Sequence, residues 1–338
     1  MKQLCAGIRP PYCTGMRILL VLTLGGVLLA QGPPQQPQPQ EDVPSIKVSV
    51  DLVNILASVR DKRGTLIPNL QKDDFTILED GKPQTIKYFT RETDLALTIG
   101  LLVDVSGSQR NLIDIEHQAA AQFFSQVLRK KDEAFLISFG EESELLQDYT
   151  NSIRLLDSGL NQLRVSSGVG GITPGPVPTT PRGTVLYDAI YLAATDKLRT
   201  EVGRKVIVVI TDGVDQGSRL KIEDAIKAAQ LADAVIYSID YADPSAYGPF
   251  FGGGGGEGYL RRMSDETGGH VYKVDRKHTL PQVFQELQDE MRSQYAIGYT
   301  PTNEAWDGSY RKLEIRLANK DLKAQTRKGY FAVKPEAK

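Results

Sequence analysis

Cysteine is nearly missing from this 338-residue chain: only Cys5 and Cys13 are present, and both precede its first apolar run. A product processed after that run would carry no thiol. Disulfides, thiolate metal sites and a cysteine nucleophile are then excluded, and no cysteine remains for lipid attachment at the new terminus. Histidine is scarce as well. His117, His270 and His278 show no metal-ligand spacing, and each fits a structural position, on a helix, at a strand start and before a helix. Basic charge is not in surplus, with Lys+Arg 40 against Asp+Glu 42. Generic phosphate binding along a nucleic acid therefore has no electrostatic basis, and no nucleic-acid partner is expected. Neither Gly-x-x-x-x-Gly-Lys nor Gly-x-Gly-x-x-Gly follows a strand in the required way, so no small-molecule cofactor is expected either.

What is present is the composition of a globular protein, 41% apolar and 24% charged, on a chain long enough for two domains. Lys2, Arg9 and Arg17 precede the apolar run 18–30, which ends at Ala30 and gives way to Gln31, Gly32 and prolines. The run is shorter than the about 20 residues of a spanning helix, so residues 1–30 are expected to be a cleaved signal peptide. Met16 is an alternative initiator. Leu28, where a small residue is usual before cleavage, keeps an uncleaved membrane anchor as the alternative. Either way the folded part is expected outside the cytoplasmic membrane: periplasmic, cell-surface or extracellular.

Residues 31–44 alternate proline and glutamine and form an extended spacer. Ile46, Val48, Val50 and Leu52 then alternate with polar residues, and the phase slips at Val53, Ile55, Ala57 and Val59, which predicts a strand with a bulge. A hairpin is expected next, with Phe75 and Ile77 before Glu79-Asp80-Gly81-Lys82 and Ile86 and Tyr88 after it. From residue 95 the texture changes to apolar runs at 95–105, 134–139, 205–211, 235–239 and 270–274, separated by helical stretches. That is the pattern of a doubly wound, mostly parallel α/β sheet. The clearest helix carries Leu280, Val283, Phe284, Leu287 and Met291 on one stripe. Strand texture returns after residue 294, with Tyr295, Ile297 and Tyr299, then Leu313, Ile315 and Leu317, then 329–333. The economical arrangement packs residues 45–93 and 294–338 into one β-sandwich, with the α/β domain, 95–293, inserted between them.

Asp104-Val105-Ser106-Gly107-Ser108 stands at the carboxyl end of the first α/β strand, where ligands bind in open α/β sheets. One carboxylate and two hydroxyls alternate along the turn, and Gly107 allows a tight path. Such hard oxygen donors suit Mg²⁺. The spacing resembles the D-x-S-x-S signature of von Willebrand factor A domains. Gly183-Thr184-Val185-Leu186-Tyr187-Asp188 resembles that family's threonine loop, and Ile210-Thr211-Asp212-Gly213 its strand-ending aspartate, in the same order. The resemblance spans 95 to about 294. Asp74-Phe75-Thr76-Ile77-Leu78-Glu79-Asp80-Gly81 is similar to the β unit that accompanies such domains in secreted bacterial VWFA-related proteins.

The resemblance implies a MIDAS-type site for one divalent cation held by Asp104, Ser106, Ser108, Thr184 and Asp212. The shell would be completed by an Asp or Glu carboxylate of a protein partner. Mg²⁺ is expected, and Mn²⁺ and Ca²⁺ share its ligand chemistry. The same residues also have plainer uses, since Asp and Ser cap helices and shape turns without any ligand. Thr173, Thr179 and Thr180 compete with Thr184 in the same Gly/Pro-rich loop, while Asp188 and Asp215 fit helix and turn positions. The expected function is non-enzymatic adhesion or protein interaction, with membrane contact only if the signal stays uncleaved. Two alternatives stand beside it: a metal-dependent hydrolase or phosphatase, and a structural envelope protein indifferent to metal. A serine hydrolase would want a glycine before Val105-Ser106-Gly107, and a dehalogenase-type phosphatase an aspartate where Ser106 stands.

Overall fold

A computed structural model describes residues 52–91, 95–166, 183–242 and 255–333. The chain divides into two compact units, 1–48 and 49–338, and all described residues belong to the second. The expectations for 1–30, 31–44 and the strand start at 45–51 lie outside the described residues, as do Thr173, Thr179 and Thr180.

The first strand, β1 (Val53–Arg60), buries Val53, Ile55, Ala57 and Val59. β2 (Phe75–Glu79) turns through Asp80 and Gly81 into β3 (Lys82–Gln84). Both turn residues have positive φ, 48° and 78°, the geometry of the tight two-residue hairpin that Asp-Gly favours. Here the structure departs from expectation. The hairpin partner is 82–84, and β4 (Ile86–Arg91) crosses into another sheet. Pro83 has no N–H to give a further neighbour, which suits β3 to the edge it occupies.

Residues 97–292 form a twisted α/β layer. Its strands are β5 (Leu97–Asp104), β6 (Glu133–Phe139), β7 (Ser143–Thr150), β8 (Arg204–Thr211), β9 (Ala234–Asp240) and β10 (Val271–Lys273), in the order β10-β9-β8-β5-β6-β7. All pairings are parallel except β6 with β7. β5 and β8 are buried at every position, as strands covered on both faces must be. Gly100 on β5 is required by packing, because a Cβ there would come within 2.3 Å of the Phe135 ring. One face is covered by α1 (Ile113–Val127), α2 (Ile153–Leu160) and, after the chain has passed through α3 (Leu186–Leu192), α4 (Ile222–Leu231) and α5 (Glu257–Thr267) on the other face, by α6 (Leu280–Arg292). Phe123 of α1 stacks on Phe284 of α6 with ring centroids 4.4 Å apart. The edge strand β7 was not apparent in the sequence, because only Leu146 of its eight residues is buried.

The chain leaves α6 and at once forms β11 (Tyr295–Tyr299), followed by β12 (Tyr310–Leu317), β13 (Lys323–Gln325) and β14 (Gly329–Phe331). Two antiparallel sheets result, β13-β1-β11-β4 and β14-β12-β2-β3, each mixing strands from before and after the α/β layer. Ile55, Ile77, Ile297, Tyr295, Leu313 and Tyr330 fill one core between them. The architecture is α/β, a mostly parallel sheet wrapped by helices, with antiparallel sheets flanking it. The two parts are joined at α6. Glu290, wholly buried, accepts hydrogen bonds from Ser58 Oγ (2.9 Å) and Arg60 Nη2 (2.5 Å) of β1 and from the Tyr272 hydroxyl (2.7 Å) of β10.

Candidate metal centre

Parallel strands followed by loops put those loops at one sheet edge. β5 ends at Asp104 and its neighbour β8 at Thr211, so the residues that follow each strand meet there. Asp104 is 0% exposed. Its Oδ1 accepts the Ser106 N–H at 2.9 Å and its Oδ2 the Thr211 hydroxyl at 2.5 Å. The Ser106 and Ser108 hydroxyls are 3.0 Å apart, and Ser108 donates to Asp212 Oδ2 at 2.7 Å. Asp212 Oδ1 accepts the Val214 N–H at 3.1 Å. One chain of hydrogen bonds thus runs from the first loop to the third.

Thr184 reaches the same place from a different direction. Its loop is clamped on both sides: the Val185 N–H donates to Gly140 O at the end of β6, and the Thr184 carbonyl accepts from Gln216 and Gly217 N–H. Gly183 and Gly217 permit this approach, since a Cβ at either would come within 2.3 Å of the other loop. Ser106, Ser108, Thr184 and Asp212 line one cavity of about 250 Å³, together with Glu141 and Ser166 among others. Asp104 is not in that wall among the described residues and connects to it through Ser106. Asp188 accepts the N–H groups of Arg219 and Leu220, and Asp215 the Ser218 hydroxyl, so both hold loops.

Asp104 has no ion pair among the described residues. Burial pushes the Asp104 carboxyl up to about 6, the hydrogen bonds from Thr211 and Ser106 oppose that, and the charge of Asp212 adds to it. Burial also raises Asp240 at the end of β9, although Lys273 lies 3.9 Å away. On α1, Glu116 is 0% exposed with neither carboxylate oxygen hydrogen-bonded, and burial, then the charge of Asp104, holds its carboxyl well above the ordinary range. A hydroxyl and carboxylate donor set in such surroundings fits a hard divalent cation, whose own charge would reverse these shifts.

Sequence reasoning did not single out Thr211, Glu116, Glu141 or Ser166. Glu116 had a signal. It falls on the stripe Leu112, Glu116, Ala119, Phe123 and Val127, where helical period places core residues.

The family profile described as von Willebrand factor type A domain matches residues 98–286, more than half of the chain. An uncharacterized protein of Borreliella burgdorferi is 24% identical over 230 residues, covering 64% of this chain and 59% of its own length. The chain thus spans about three fifths of that curated relative. Among solved structures, BatB from Bacteroides thetaiotaomicron has a TM-score of 0.45 at 18% identity, over 58% of this chain and 97% of its own. Proximal thread matrix protein 1 from the mussel byssus, with a zinc-occupied MIDAS motif, has 0.46 at 11%, over 63% and 50%. Domains of this family typically mediate protein–protein interaction and are in general not enzymes. The match over nearly all of the α/β layer settles the family, and the chain belongs to the von Willebrand factor type A domain proteins.

Proposed function

We propose that this VWA domain is a metal-dependent interaction module, in which Asp104, Ser106, Ser108, Thr184 and Asp212 hold one divalent cation, Mg²⁺ by preference. The observation that carries the reading is the single cavity lined by Ser106, Ser108, Thr184 and Asp212, with Asp104 hydrogen-bonded to Ser106 behind it. The cation would supply a positive charge with an open coordination position for an Asp or Glu of a protein partner. Asp104 and Asp212, both ionised, formally balance its charge. The hydroxyls of Ser106, Ser108 and Thr184 add neutral oxygens, and these five donors leave one position of an octahedral shell for a further carboxylate. Thr211 keeps Asp104 oriented, and the clamp on Thr184 sets the width of the cavity.

The division of the chain belongs to this reading. Residues 1–30 act as an export signal, 31–44 as a spacer, 45–93 with 294–338 as a β-sandwich base, and 95–293 as the VWA domain. The domain is then displayed outside the cytoplasmic membrane. Among the described residues, no helix is long and apolar enough to cross a membrane.

Calorimetric titration of Mg²⁺, Mn²⁺ and Ca²⁺ into chelator-treated protein tests the site, alongside Asp104→Ala and Asp212→Ala. One-site binding that vanishes in both variants, with the far-UV circular dichroism retained, is the expected result. Heats that are absent from the wild-type chain, or that survive in both variants, would overturn it.

A further inference from the structure

The cavity at the metal centre continues past Thr184. A second cavity, of about 660 Å³, adjoins it, and the two share Glu141, Gly183 and Gln216 as common wall. Its character differs from that of the first. Val185 and Leu192 give it an apolar floor, Glu141, Glu142 and Asp188 put carboxylates around it, and Arg219 is the basic residue in its lining. Asp188 is fixed there by the Arg219 and Leu220 N–H groups, both at 3.0 Å. Glu141 is half-buried and makes no hydrogen bond or ion pair with another described residue. It does not join Asp104 and Asp212 as a chelating group, since no three acidic, histidine or cysteine side chains converge closely enough to hold a metal among the described residues.

Apolar floor and acidic rim together match one kind of side chain, a long aliphatic stem with a cationic head. We infer that this second cavity receives a lysine or arginine of the partner protein, lying close along the partner's chain to the acidic residue bound at the cation. The inference rests on the cation-site reading above. A cationic head would meet Glu141 and Asp188 while its stem covers Val185 and Leu192. An acidic side chain would face the carboxylates of Glu141 and Asp188, and an apolar one would strip water from them without replacing it. The cation alone accepts any exposed carboxylate. The adjoining cavity is where this chain discriminates among acidic partners.

An array of capped synthetic peptides tests this, each with one glutamate and, one to four residues away, an arginine, a glutamine or a second glutamate, in a Gly/Ser background. The full chain is applied in Mg²⁺ and again in EDTA. Retention in Mg²⁺ is expected to be about five- to tenfold higher for an arginine-containing peptide than for its glutamine counterpart, and lowest for the second glutamate. Glu141→Lys should reverse that order. Should that variant fail to fold by circular dichroism, Glu141→Gln should shrink the arginine preference. Metal-dependent retention indifferent to the neighbouring residue, or an order unchanged in the Glu141 variant, would overturn the inference and leave the cation site standing. No metal-dependent retention of any peptide would overturn both.

Discussion

Two buried acids of the sandwich and its joint, Glu79 and Glu290, are paired with guanidinium groups, whereas Asp104 and Glu116 of the α/β layer have no ion pair among the described residues. Glu79, 2% exposed, accepts the hydroxyls of Tyr299 at 2.5 Å and Tyr330 at 2.9 Å and pairs with the buried guanidinium of Arg311 at 3.3 Å. Glu290 has Arg60 in the same role at the joint. Asp104 is buried as deeply and receives only neutral donors, while the Glu116 oxygens receive none. At Glu79 and Glu290 a positive side chain is packed beside the buried acid. Beside Asp104 and Glu116 no such side chain is packed among the described residues, and there a cation from solution would have something to add.

The largest effect expected of this contrast lies in the sandwich. Arg311→Leu would leave Glu79 buried without its counter-charge, at a cost of about 3–5 kcal/mol. Urea unfolding followed by tyrosine fluorescence measures it. A loss below about 1 kcal/mol would show that the sandwich acid does not need its partner, and the comparison would break there.

Next in size is the linkage between protons and cation at Asp104. A carboxyl raised from 3.8 to about 6 binds its proton more tightly in the folded chain. In chelator, its contribution is therefore fully present below the ordinary carboxylate range and lost as pH rises through about 6, by about 3 kcal/mol. Saturating Mg²⁺ should remove that loss by favouring the ionised form, so the metal-induced rise in melting temperature should be large at pH 7.5 and small at pH 5. Equal stabilisation at both values would mean that Asp104 does not couple to the cation.

How much of this was legible in the sequence depended on what each residue's pattern reports. Alternation and apolar runs report burial. They located β5, β6, β8 and β9, buried along nearly their whole length, and β10, where Tyr272 is buried, and failed for β7 and for the three-residue β13, where little is buried. Burial does not say which sheet a strand joins. Ile86 is equally apolar on either side of the core, and the crossing of β4 away from its apparent hairpin follows from packing alone. At the candidate site, Asp104, Ser106 and Ser108 stood out as alternating oxygen donors at a strand end, and Thr184 and Asp212 through the resemblance of their loops to those of the family. Thr211 did not, since a threonine ending a strand is ordinary until Asp104 is seen 2.5 Å from its hydroxyl. The second cavity has no local signal, because its walls come from separate segments at 141–143, 183–192 and 216–219.

Thr211→Val sharpens the contrast on a smaller scale. It keeps the shape of the strand end and removes one of the two donors to Asp104. A hydrogen bond to a charged group contributes about 1.5–3 kcal/mol, so magnesium affinity at pH 7 should fall by about ten- to a hundredfold, with the titration of Asp104 displaced further upward. Calorimetry at two pH values distinguishes this from simple loss of the site. An unchanged affinity would mean that Thr211 supports the strand and not the carboxylate.

The smallest effect has the opposite sign. Glu116 lies among apolar side chains of α1 with no partner for its oxygens, and its carboxyl is held well above the ordinary range by burial. Its stability contribution is thus present at low pH and falls as pH rises from the ordinary carboxylate range toward its folded value. Glu116→Leu replaces a costly buried acid by a side chain of similar size that suits the stripe. The variant should be more stable than the wild-type chain by about 1 kcal/mol at pH 8, with a flatter dependence of the urea midpoint on pH. Destabilisation at pH 8 would mean that Glu116 is compensated in the folded chain after all, and would remove it from the set of acids that distinguishes this edge from the sandwich.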